Sequence, residues 1–74
     1  MSTHLGFGHE AHPLLGHLVR DLASGTEGRL MAVVLEEVDT LVGPRWTRRA
    51  YIRPAAGGTE LATAVGNVHP LAAA

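Results

Sequence analysis

The chain has 74 residues, enough for one small domain, and a net charge of −1 with histidine neutral, which argues against a chain-wide polyanion binder. It has no cysteine, so disulfides, iron–sulfur clusters, thiolate zinc sites and thiol catalysis are excluded. Surface scaling for this size leaves about 60% of the unfolded surface buried, a thin core that a partner or a second copy would supplement.

All six basic residues are arginine, and lysine and glutamine are absent. With Ala, Gly, Val and Leu dominant, this usage is expected of a GC-rich, actinobacterial genome. The start of the chain lacks the basic and apolar regions of a secretory signal. No stretch approaches the roughly 20 apolar residues of a membrane helix. A soluble cytoplasmic protein is expected.

Residues 1–12 are rich in Gly and His and are expected to form a flexible arm closed by Pro13. Residues 13–71 then form a single domain, and 72–74 a frayed tail. Between Leu14 and Leu22, the apolar residues Leu14, Leu15, Leu18, Val19 and Leu22 make a helical stripe. The competing reading is a strand beginning at Gly16, followed by a turn around Ser24-Gly25. Arg29 to Val38 is the clearest strand, a Leu/Met/Val run with β-branched residues. Alternation places Leu30, Ala32 and Val34 on one face and Met31, Val33 and Leu35 on the other. Both faces are apolar, so both are expected to be covered.

Residues 39–45 are expected to be a loop marked by Gly43-Pro44. A second strand follows to Arg53, with Trp46, Arg48, Ala50 and Ile52 on one side. Thr47, Arg49, Tyr51 and Arg53 lie on the other. A third strand over 59–65 and a short edge strand at Val68–Leu71 complete the set. The expected core is Val19, Leu30, Ala32, Val34, Trp46, Ala50, Ile52, Leu61 and Val65.

Short strands joined by Gly-rich turns point to a mainly β fold, a small barrel or sandwich. The stretch from Gly16 through Gly28 to Val33, with its Gly–strand–turn–Gly–strand order, resembles the opening of SH3-like small β-barrels of the KOW and PRC-barrel kind. The combination of Leu-Met-Ala-Val-Val, Ala-Tyr-Ile-Arg-Pro, Gly-Gly-x-Glu and Asn-Val-x-Pro also resembles short proteins of streptomycetes. The resemblance covers about residues 13–71. It implies an SH3-like barrel of four to five strands, with the segment from Gly16 to Leu22 as a strand, and it supplies no catalytic residue.

Chemistry-bearing residues are sparse. His4, His9, His12 and His17 are weak metal candidates; the His9–His12 spacing is three, not the four of a metalloprotease helix. Ser2 and Ser24 are the only serines, and no Gly-x-Ser-x-Gly elbow or phosphate loop is present. Neither an enzyme nor a cofactor is expected. Glu36, Glu37 and Asp39 are expected to be solvated charges that discourage edge pairing.

The distinctive cluster is Arg45, Trp46, Arg48, Arg49, Tyr51 and Arg53. Guanidinium forks with an aromatic can hold phosphate or carboxylate and stack a base. The competing outcome is a solvated face neutralised by Glu36, Glu37 or Glu60 across the strands. The expected function is a non-enzymatic interaction module that binds a protein partner or itself. A dimer is expected through Met31, Val33 or Leu35. The alternative is a nucleic-acid-binding protein using the Arg49/Tyr51/Arg53 face.

Overall fold

The computed structural model describes residues 7–71. The fold is mainly β, one antiparallel sheet of six strands. These are β1 (Phe7–Glu10), β2 (Leu18–Asp21), β3 (Glu27–Thr40), β4 (Gly43–Pro54), β5 (Leu61–Ala64) and β6 (Val68–Pro70). The strand order is β5-β4-β3-β2-β6, and β1 pairs with β3. A 3-10 turn over Val65–Asn67 joins β5 to β6. The sheet is not closed into a barrel, because β5 and β6 hold its two ends without pairing to each other. The expected barrel is therefore an open sheet, whose end strands are short: β5 has four residues and β6 three.

The ambiguous segment 14–22 resolves into a turn and a strand. Residues 13–16 turn the chain, and Gly16 takes a φ of +83°, which suits glycine. From Leu18 to Asp21 the chain pairs with β3 on one side and β6 on the other. The helical stripe therefore loses to long-range pairing. Part of the expected arm is also ordered: Phe7–Glu10 pairs with the Val33–Glu36 edge of β3. The rest of the arm and the tail lie outside the described residues.

Strands β3 and β4 form one long hairpin. The expected 39–45 loop shrinks to the two residues Leu41 and Val42 between paired Thr40 and Gly43. Gly43 takes the positive φ, +110°, that the hairpin needs, so Leu41 and Val42 keep negative φ. Thr40 Oγ1 accepts the Val42 N–H at 3.2 Å and donates to the Gly43 carbonyl at 2.6 Å, pinning the turn.

A β-bulge between Leu30 and Ala32 overturns the simple alternation. Met31 is the extra residue, so the faces exchange after it. Leu30 and Val33 then join Val19, Ala50 and Ile52 in the core, each at most 2% exposed. Ala32 and Val34 move to the face that carries Arg49 and Tyr51. Val34 is buried there, as expected, although on the opposite side from Leu30. Leu14, Leu15, Leu61, Val65 and Val68 flank the core, half-buried.

Trp46, expected in the core, is 57% exposed. It has the core-side orientation of Ala50 and Ile52, but the hairpin outruns its neighbours. Among the described residues, the β1 pairing reaches Glu36 and the β5 pairing Arg49, and no described strand lies beyond them to carry a covering layer.

The bulge makes neighbouring residues respond very differently to truncation. Val33→Ala is expected to lower stability by about 1–3 kcal/mol through lost burial and a residual cavity. Met31→Ala, at a 37% exposed position, is expected to change it by under about 1 kcal/mol. Urea midpoints of the two variants check this, and equal shifts would place Met31 in the core.

Candidate interaction site

Arg49, Tyr51 and Arg53 do share the outer face of β4, as alternation requires. Glu36 on β3 shapes that face. Its carboxylate accepts the Tyr51 hydroxyl and lies 3.4 Å from Arg49 Nε. The Arg49 contact is an ion pair without hydrogen-bond geometry, and Nε is buried. A shallow depression beside this network is lined by His9, Ala32, Val34, Glu36, Tyr51 and Glu60.

Tyr51 is held above its ordinary phenol pKa of 10.0. The hydrogen bond to Glu36 is the main cause, then burial and the negative charge of Glu36; Arg49 opposes them. Glu36→Gln is expected to lower the phenolate titration midpoint of this single tyrosine. An unchanged midpoint in the ultraviolet titration would show that the hydroxyl does not donate to Glu36.

Arg48 projects from the other face and reaches across β3 to Glu10 of β1, Nε to Oε1 at 2.7 Å. Two of the four clustered arginines are thus neutralised by carboxylates of neighbouring strands. Arg45 and Arg53 make no ion pair among the described residues. Arg53 instead stands opposite another cation, Arg29. Arg29 also donates to the Gly16 carbonyl, tying the 13–16 turn to β3.

The apolar self-association patch dissolves. Val33 is in the chain's own core, Leu35 is half-buried on the same face, and Met31 stands alone on the bulge. Val33 is thereby removed from any contact between copies, and Met31 and Leu35 do not join it in one exposed apolar patch.

Among the metal candidates, His9 lies on β1 and lines the shallow depression. His12 Nδ1 accepts the Leu14 N–H at 3.1 Å, and His17 is exposed. His4 lies outside the described residues. Among the described residues, no group of three or more His, Asp or Glu side chains is placed to hold a metal ion. Glu36, Glu37 and Asp39 lie within β3; Glu37 and Asp39 are exposed, whereas Glu36 is half-buried and bonded to Tyr51.

The exposed apolar surface concentrates where the sequence does not announce it. Leu41 and Val42 at the hairpin turn are 106% and 75% exposed. Trp46 stands opposite Glu37, and Pro44 opposite Asp39. The projecting end of the hairpin therefore carries an apolar tip, an open indole and two exposed carboxylates. Its only signal in the sequence is an apolar Leu-Val pair just before Gly43, where hairpin turns favour polar residues.

The fold and this surface define a small open-sheet β protein with a protruding apolar hairpin. Comparison with protein-family models, with curated proteins and with solved structures finds no match. No described helix is long and apolar enough to cross a membrane.

Proposed function

We propose that this chain is a non-enzymatic interaction module of SH3-like strand order that binds protein through the end of the β3–β4 hairpin. The observation that carries the reading is the exposure of Leu41, Val42 and Trp46 on one projecting element. An exposed tryptophan on the same hairpin as two exposed aliphatic side chains supplies the kind of anchor that protein interfaces favour. The SH3-like relation is supported by the path of the chain. β2 lies between β3 and β6, β4 and β5 follow on the far side of β3, and a 3-10 turn precedes the last strand.

Nucleic-acid binding is the weaker reading. Glu36 and Glu10 neutralise Arg49 and Arg48, and the Tyr51 hydroxyl is engaged by Glu36. A photo-crosslinking residue at Val42, with one at Ala56 as control, tests the choice in cells that express the protein. Protein adducts from position 42 alone are expected. Nucleic-acid adducts, or equal adducts from both positions, would overturn the reading.

A further inference from the structure

We infer that the protein found at the hairpin end is a second copy of this chain, joined head to tail. This rests on the reading of the hairpin as the binding element and names its partner. The receiving surface is an open groove lined by Leu14, Gly16, His17, Leu18, Arg29, Pro70 and Leu71.

Two properties of groove and hairpin match. The first is apolar character: Leu14, Leu18, Pro70 and Leu71 wall the groove, and Leu18 is 47% exposed. Leu41 and Val42 are the apolar pair of a shape that projects. The second is charge. The hairpin end carries Glu37 and Asp39, without ion pairs among the described residues, against one cation, Arg45. The groove is bordered by Arg29, which stands opposite Arg53. Two cations facing each other across a ladder repel, and carboxylates brought alongside relieve that repulsion.

A chain cannot satisfy its own groove. From Arg29 to Leu41 the chain runs along one strand, roughly 12 residues at about 3.3 Å each. That is close to the longest dimension of the molecule, 41 Å. Tip and groove therefore lie far apart, and docking has to be intermolecular. Because the two contacting surfaces differ, each copy keeps a free tip or a free groove, and association continues past the dimer until a ring closes. The opposite case, hairpin edge against hairpin edge, is disfavoured by Pro44 and Arg45 along β4, which bring a missing donor and like charges together.

The test uses two variants of exposed residues, checked for wild-type circular dichroism. Leu41→Asp/Val42→Asp removes the tip and leaves the groove. Leu18→Asp removes the groove and leaves the tip, with Leu71→Asp as its replacement if the first does not fold. Sedimentation velocity should show wild-type protein associating beyond a dimer as concentration rises. Each variant alone should stay at 7.8 kDa. An equimolar mixture should form a one-to-one dimer and stop there, because the remaining tip and groove are both disabled. A wild type that stays monomeric at high micromolar concentration would overturn the inference. So would a Leu18→Asp variant that associates like wild type, or a mixture that does not pair. Protein adducts from position 42 together with a monomeric wild type would overturn head-to-tail assembly and leave the hairpin as a binding element for another protein.

Discussion

Gly28→Ala is expected to remove about 3 kcal/mol of stability, more than half of the roughly 5 kcal/mol available to so small a domain. Gly28 sits at the start of β3, opposite Pro54 of β4 and Val19 of β2. A Cβ there would stand 2.1 Å from the Arg53 carbonyl oxygen and 2.8 Å from both the Arg53 carbonyl carbon and Pro54 Cα. All three are backbone atoms, so no side-chain rotation can relieve the collision. The strands must separate, and the core residues Leu30 and Ile52, paired two positions further along the ladder, lose packing. Gly57→Ala, at φ +91° but with open space around the added carbon, is expected to cost only about 1 kcal/mol from backbone strain. Chemical denaturation of the two variants checks the ordering.

Asp21→Ala is expected to be comparably damaging, at about 3 kcal/mol. The residue is 1% exposed, yet its carboxylate is fully engaged. It accepts the Ser24 hydroxyl at 2.6 Å, the Ser24 N–H at 3.0 Å and the Thr63 hydroxyl at 2.8 Å, with the Ala23 N–H at 3.4 Å. Asn67 Nδ2 donates in turn to Thr63 Oγ1 at 3.1 Å. One side chain thus closes the 21–26 turn and fastens β2 to β5 and the 3-10 turn. Burial pushes the carboxyl pKa up; the hydrogen bonds from Ser24, Thr63 and the two N–H groups outweigh it and hold the group below 3.8. A carboxyl whose folded pKa is depressed contributes stability that is full above its unfolded value, near 4, and is lost as pH falls through the folded value. Stability of the wild type should therefore decline below about pH 4, and Asp21→Asn should show a weaker decline with a lower plateau near neutrality. Denaturant titrations at a series of pH values check this. Equal acid sensitivity of the two proteins would remove Asp21 as the cause.

Strands β3 and β4 are legible in the sequence, because β-branched runs and clean alternation mark pleated, half-buried surfaces. The bulge is not, since both faces of β3 are apolar and Met31 can be skipped without any break in hydrophobicity. That single residue moved Val33 from an expected contact surface into the core. Trp46 misleads for a different reason: its side chain type argues for burial, whereas its position in a hairpin longer than its neighbours leaves it open. The Arg49/Tyr51 face and its neutralisation by Glu36 follow from cross-strand pairing that alternation already suggests. Asp21 is hidden because its partner Thr63 is 42 residues away. The ordering of Phe7–Glu10 depends on backbone pairing with a free edge of β3, which its Gly- and His-rich composition does not encode.

The central claim, that the hairpin end offers an open binding surface, is tested most directly through the accessibility of Trp46, the single tryptophan of the chain. Acrylamide quenching should be followed in dilute, folded protein and again after unfolding in urea. The expected result is a red-shifted emission in the folded state, quenched nearly as efficiently as in the unfolded chain, with protection appearing only as protein concentration rises. A blue-shifted and protected emission in dilute folded protein would place the indole in the core and contradict the account.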